Sequence, residues 1–199
     1  KLKTENYKLT MSKIKFGVIG QGHIGKRHAE MVRRNPDCEL VAVCDVLPKE
    51  KLGLDNLTEN FYNSVDELLE KHPEIEVINV CTPNGLHAIH SLKALETNKH
   101  VVVEKPMALS KADCEKIIYT ALSHSKTVFC VMQNRYSPPS VWLKDIITNK
   151  TLGDIYMVQL NCYWNRDERY YKAGGWKGTQ SLDGGTLFTQ FSHWIDIMY

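Results

Sequence analysis

Short apolar runs alternate with longer stretches of helical periodicity along most of the chain, and this alternation limits the fold more than any other feature of the sequence. Residues 13–19 (KIKFGVI), 39–44 (ELVAVC), 76–81 (EVINVC), 100–104 (HVVVE) and 127–133 (TVFCVMQ) read as strands. Residues 24–34, 64–71, 86–96 and 110–123 between them read as helices, two of them opened by the N-cap spacings Ser64-Val-Asp-Glu67 and Ser110 with Asp113. The strands are nearly continuous in apolar residues, as strands buried on both faces must be. Strand and helix in alternation imply right-handed βαβ units, so residues 11–134 are expected to form a doubly wound α/β domain.

The rest of the chain differs in kind. After Ser137-Pro138-Pro139-Ser140 a helix is expected over 141–149, then a long strand over 154–164, a polar aromatic loop to about Ser181 and an apolar helix from Gly185. Leu187, Phe188, Phe191, Trp194, Ile195 and Met198 give that helix one apolar face. One strand and one helix cannot make a stable layer, so residues 135–199 are read as the start of a second α/β domain. With 199 residues in all, the protein is expected to continue beyond Tyr199 or to have the missing surface supplied by another chain.

Apolar residues make up 43% and charged residues 24%, which excludes disordered and low-complexity classes. Lys plus Arg number 25 against 23 Asp plus Glu, and no basic tract stands out, so nucleic acid is not an expected partner. No apolar stretch has the length of a membrane span and the N-terminus has no leader pattern, so a cytoplasmic protein is expected. The six scattered cysteines, without a C-x-x-C, read as reduced thiols. Residues 1–10, ahead of Met11, are set aside as a frayed arm or expression remnant.

Gly20-Gln21-Gly22-His23-Ile24-Gly25 satisfies G-x-G-x-x-G, and it lies where a strand gives way to a helix. In that context the first Gly permits the tight turn, the second admits a pyrophosphate to the backbone, and the third lets helix and strand pack closely. The helix start, at His23 and Ile24, faces the anion. Twenty positions beyond Gly25 stands Asp45, at the end of the second strand. Its carboxylate suits an adenosine ribose and would repel a 2′-phosphate, and Val46 is no Arg, so NAD is expected rather than NADP.

Carboxyl ends of parallel strands share one rim, which gathers Gly20, Asp45, Thr82, Glu104 and Lys105. Thr82 and Asn84 are candidates for ribose or phosphate, and His87 for packing near the dinucleotide. The alternative is a polar turn built on Asn84-Gly85. His87 and His90 face one way on a helix, but no carboxylate or Cys completes a set, and no metal is expected. Lys105, fixed by the following Pro106, is the best acid/base candidate, because burial beside a cationic ring would lower its proton affinity.

These residues carry a resemblance. Gly20-x-Gly22-x-x-Gly25 with His28, Thr82-Pro83-Asn84, Glu104-Lys105-Pro106 and Gln133-Asn134-Arg135-Tyr136 resemble the Gfo/Idh/MocA oxidoreductases from Met11 to the end of the chain. The resemblance implies an NAD(P)-binding Rossmann domain followed by an α/β domain with an open, mainly antiparallel sheet, here truncated. It also implies a catalytic role for Lys105, a cis Lys105–Pro106 bond, a cofactor contact for Glu104, and association of the full-length protein as a homo-oligomer. The family's usual second catalytic element has an Asp four residues before a His. Here His193 stands at the His position and Thr189 at the Asp position, where its hydroxyl is a possible partner for the imidazole.

Trp176-Lys177-Gly178-Thr179 and the run from Leu182 to His193 look like the subgroup that oxidises UDP-N-acetylglucosaminuronate at C3 in bacterial surface-polysaccharide (O-antigen) biosynthesis. The resemblance implies a nucleotide-sugar substrate, with Lys105 and His193 catalytic and Thr189 and Gln190 lining the substrate. Arg166, Arg169, Tyr170, Tyr171, Trp176 and Lys177, together with Arg135 and Tyr136, offer cations for a carboxylate or diphosphate and aromatics for sugar or base. The alternatives are a related sugar or polyol dehydrogenase and, in another class, a non-catalytic NAD-binding module that needs neither Lys105 nor His193.

Overall fold

The computed structural model describes residues 12–199, so the arm expected over residues 1–10 and Met11 lie outside the described residues. Six strands and their helices alternate: β1 (Ile14–Ile19), α1 (His23–Arg34), β2 (Cys38–Cys44), α2 (Lys49–Leu52), β3 (Asn60–Tyr62), α3 (Val65–Lys71), β4 (Val77–Val80), α4 (His87–Glu96), β5 (His100–Glu104), α5 (Lys111–Ser123) and β6 (Val128–Val131). They form one sheet, ordered β3-β2-β1-β4-β5-β6, with every pair parallel. The strand order reverses between β1 and β4, and such a switch point is where a doubly wound sheet binds its ligand.

Alternation along the strands divides the core in two. Val18 and Val43 turn to one face and pack with Ala29 and Val32 of α1, while Ile19, Ala42 and Cys44 turn to the other and pack with Leu68, Leu95 and Ile117. Each Val, Leu or Ile among them, when fully buried, contributes about 1.5–3 kcal/mol. Ser64 and Ser110 cap α3 and α5, each accepting the backbone N–H three residues on. All six cysteines are free thiols, and burial pushes Cys44 up to about 12 and Cys130 up to about 11. No helix among the described residues is long and apolar enough to cross a membrane.

Five elements differ from the sequence expectations. β3 and α2, between residues 44 and 64, have no counterpart in the sequence pattern, because a three-residue strand and a single helical turn are too short to show a period. The helix expected over 141–149 is α6 (Pro138–Thr148): Pro138 sits in its first turn, where a missing N–H costs nothing, and so begins the helix instead of delaying it. Residues 154–164 form no strand, and the second domain's expected antiparallel sheet has no strand among the described residues. A strand exists only through its neighbours' hydrogen bonds, and no strand among the described residues pairs with this segment. The single helix expected from Gly185 is divided into a π-helical turn, Leu187–Phe191, and α8 (Ser192–Met198), preceded by α7 (Gln180–Asp183).

Candidate active site at the carboxyl rim of the sheet

The glycines of the loop between β1 and α1 meet different constraints. Gly20 has φ +89°, and a Cβ there would lie 2.6 Å from the Cys81 carbonyl oxygen. A Cβ on Gly25 would come within 1.7 Å of the Gly20 carbonyl oxygen, whereas one on Gly22 would meet nothing within 4 Å. So two glycines close the turn, and the third leaves space open at the start of α1. No side chain caps that helix start, at His23 and Ile24, and its N–H groups remain available to an anion. Asp45 Oδ2 accepts the Gln21 N–H at 2.6 Å and Oδ1 accepts the Leu47 N–H at 2.9 Å. The carboxylate is thus held at the loop with a lone pair on each oxygen left for hydroxyls. The open Gly22, the uncapped helix and the oriented Asp45 fit a dinucleotide.

At the end of β4 the polar groups bind the protein itself. Asn84 Nδ2 donates to the Asp183 carbonyl at 2.8 Å, and a Cβ on Gly85 would stand 2.0 Å from the Ser181 carbonyl oxygen. The turn Asn84–Leu86 is therefore seated against α7. The two ring nitrogens of His87 lie 2.7 Å from the Pro106 carbonyl oxygen and 2.8 Å from that of Thr82. A neutral imidazole donates to only one of these at a time, and burial holds His87 below the ordinary histidine value while both carbonyls pull it up. His87, 1% exposed, braces the end of β4 against the loop after β5. Thr82 Oγ1 and His90 Nδ1 are 3.1 Å apart.

Lys105 and His193 meet at this rim. The Lys105–Pro106 bond is cis. Lys105 Nζ donates to the Thr189 carbonyl in the π-helical turn that leads into α8 and His193. Burial pushes Lys105 below the ordinary lysine value, partly offset by the Glu104 carboxylate. His193 is also held low, by burial and then by the Lys105 cation. Its Nε2 lies 3.5 Å from Gln133 Nε2, and its buried Nδ1 has no hydrogen-bond partner among the described residues. The Thr189 hydroxyl does not pair with it, because it donates to the Gly185 carbonyl at 3.2 Å, the back-bond that a helical Thr readily makes. Gln190 is half-buried beside it.

The remaining predicted substrate residues differ in what they touch. Arg135 is paired with Asp196 of α8, with Nε 2.7 Å from Oδ2 and a second bond from Nη2 to Oδ1, and Arg169 is paired with Asp167 at 2.8 Å. The Arg166 guanidinium stacks 4.4 Å from the Trp164 ring centre and 4.0 Å from that of Tyr170, which also has Lys177 Nζ at 4.0 Å. Tyr171 meets Tyr170 edge to face, Trp176 is half-buried, and Tyr136 is exposed. One contributor was missed from sequence: Asn79, buried in β4 and bonded to His28. Its signal was present as the one polar residue at the centre of an otherwise apolar strand.

Residues 14–132 match the family described as oxidoreductase family, NAD-binding Rossmann fold, and residues 141–199 match the GFO/IDH/MocA C-terminal domain. The chain is similar to the WlbA dehydrogenase from Chromobacterium violaceum, solved in complex with NADH and UDP-GlcNAcA. The identity is 34%, the match covers 96% of this chain and 55% of that one, and the TM-score is 0.87. The WlbA dehydrogenase from Bordetella pertussis, also solved with NADH and UDP-GlcNAcA, matches at 32% identity over 94% of this chain and 58% of its own, with a TM-score of 0.87. The D-glucoside 3-dehydrogenase of Escherichia coli is 33% identical over 75% of this chain and 43% of its own. The chain spans about half the length of the curated relatives it matches. With glycine loop, Asp45 and parallel sheet in the arrangement an NAD-binding domain requires, and with both parts of the chain matched, the protein belongs to the Gfo/Idh/MocA oxidoreductase family.

Proposed function

We propose that the protein is an NAD-dependent dehydrogenase that oxidises the C3 hydroxyl of a UDP-linked N-acetylated uronic acid to a 3-keto sugar. The observation that carries this reading is the meeting of Lys105 with the Thr189–His193 segment, in a chain similar over almost its whole length to two dehydrogenases solved with NADH and UDP-GlcNAcA. Gly20, Gly22, Gly25, His23, Ile24 and Asp45 would hold the dinucleotide, with Thr82, Asn84, His87 and Glu104 shaping the rim beneath it. When bound, the nicotinamide supplies the hydride acceptor. The chain's own part is to place the sugar and move one proton. Lys105 Nζ, lowered by burial, takes the hydroxyl proton, and His193 Nδ1 offers a buried polar atom to orient the same oxygen. Arg166 and Lys177 around Tyr170 present two cations and an aromatic face to a carboxylate or diphosphate and a sugar or base.

A related sugar or polyol dehydrogenase is the second reading, supported by the similarity to a D-glucoside 3-dehydrogenase and to inositol 2-dehydrogenases. NADH formation separates them when the UDP-linked uronic acid, the free sugar, a glucoside and inositol are offered side by side, both to the 199-residue chain and to a form of relative-like length. The first reading expects turnover with the UDP sugar alone. Turnover confined to a glucoside or inositol would replace it with the second. A homo-oligomer is part of the same proposal, to be measured by sedimentation.

A further inference from the structure

Asn79 occupies the middle of β4 and is 4% exposed, in a strand whose other residues are all apolar. Its side chain reaches α1, where Nδ2 donates to His28 Nδ1 at 3.2 Å. An imidazole nitrogen that accepts carries no proton, so a neutral His28 has its proton on Nε2. That nitrogen donates to Glu104 Oε1 at 3.0 Å. The other carboxylate oxygen, Oε2, accepts the backbone N–H of Lys105 at 3.2 Å. Asn79 of β4, His28 of α1 and Glu104 of β5 thus form one line of hydrogen bonds, ending at the peptide of Lys105, the candidate catalytic lysine just after β5.

Glu104 is 7% exposed, and a buried carboxyl group needs hydrogen-bond partners in place of the water it has lost. The donors found here are the His28 ring and the Lys105 peptide. We infer that His28 is a positioning residue for Lys105: with its tautomer fixed by Asn79, it holds the Glu104 carboxylate aimed at the Lys105 peptide and so keeps that group in place beside the lysine. The inference uses the reading of Lys105 given above only for its consequence in turnover. It also joins two parts of the site, because α1 presents its N-terminus to the dinucleotide and carries His28 on its inner side.

Besides Glu104, the groups that face the Lys105 ammonium are Cys130 of β6, Arg166, Asp183 of α7, His193 of α8 and His87 of α4. None of these is changed by the variants proposed. The test is the titration of Lys105 itself, followed by NMR on chain carrying 13C-methylated lysines, with the signal assigned through Lys105→Arg. His28→Leu removes the donor that aims the Glu104 carboxyl, so that group turns away from the lysine and the Lys105 midpoint moves down; Glu104→Gln moves it down directly. His28→Gln keeps an amide N–H for Glu104 and restores the midpoint of the unaltered chain. A midpoint that stays in place or rises in His28→Leu overturns the inference, whatever Glu104→Gln does.

Should His28→Leu fail to fold, the unaltered chain still gives an answer. Nitrogen-15 shifts are expected to show that the neutral form of the His28 ring carries its proton on Nε2, and the Nδ1-protonated tautomer would overturn the arrangement. The titration needs no turnover, so its outcome is separate from that of the dehydrogenase reading. Full activity in Lys105→Ala would remove Lys105 from the chemistry while leaving the His28–Glu104 link to stand on its own measurement.

Discussion

Gly22 and Gly25 lie in one loop, and the space around each gives opposite expectations for the same substitution. At Gly25 a methyl group would sit 1.7 Å from a backbone oxygen, so Gly25→Ala must push α1 away from β1. Overpacking of this kind costs about 1–3 kcal/mol or more, and thermal unfolding should register it. At Gly22 the methyl meets no protein atom, so Gly22→Ala should leave stability within about 0.5 kcal/mol of the parent. It should nevertheless weaken NAD binding, measured by quenching or calorimetry, because the methyl occupies the space left for the pyrophosphate. Unchanged NAD affinity in Gly22→Ala would move the dinucleotide off this loop. Lys105 gives a sharper test of chemistry. Lys105→Ala should keep NAD affinity and lose turnover by roughly 10²–10⁴-fold, the usual worth of a positioned acid/base group. The pH dependence is set by the sign of its shift. A lysine held low by burial reaches its neutral, proton-accepting form at lower pH than a free one, so kcat/KM for oxidation rises with pH around a midpoint below the ordinary lysine value of about 10.4. A midpoint at or above that value would argue against Lys105 as the acceptor.

The elements that build the rim were legible from sequence wherever a periodic pattern ran long enough to be counted. α1, α3, α4 and α5 and the five strands β1, β2, β4, β5 and β6 follow from such patterns, and the N-caps Ser64 and Ser110 mark two starts directly. The rest was set by contacts between distant segments. Nothing in the local sequence of residues 154–164 tells whether a neighbouring strand is present, and alternation alone does not make a strand. Nor does sequence show that Asn84 and Gly85 are committed to α7, 99 positions away in the case of the Asn84–Asp183 bond. That docking has a direct test at the scale of elements. Gly85→Ala would place a methyl 2.0 Å from the Ser181 carbonyl oxygen, so α7 must withdraw from the turn before α4. Hydrogen exchange should then quicken at Gly178 and through α7 and the π-helical turn, with β1, β4 and β5 still protected. Unchanged protection of α7 would mean that the turn yields instead.

Across the whole molecule, two ion pairs hold separate parts and should respond to acid independently. Arg33 of α1 binds Glu59 through Nε at 2.6 Å and Nη2 at 2.9 Å, tying the end of α1 to the residue before β3. Arg135 binds Asp196 of α8, tying the chain after β6 to the last helix. Each arginine holds its carboxyl below the usual range. A carboxyl depressed on folding contributes stability in full above its unfolded value, about 3.9–4.3, and loses it as pH falls through the folded value. Acid should therefore loosen both pairs below about pH 4, each at its own midpoint, and added salt should weaken both because each arginine is partly exposed. The sequence supplies a means of telling the parts apart: all four tryptophans, at 142, 164, 176 and 194, lie after β6. Tryptophan fluorescence thus follows the C-terminal part, while far-ultraviolet circular dichroism is dominated by the helices and strands before residue 132. Asp196→Asn should remove the acid transition seen by fluorescence and leave that seen by dichroism, and Glu59→Gln should do the reverse. If either substitution moves both signals together, the two parts unfold as one cooperative unit and the docking of α7 and α8 onto the Rossmann domain is stronger than these ion pairs alone provide.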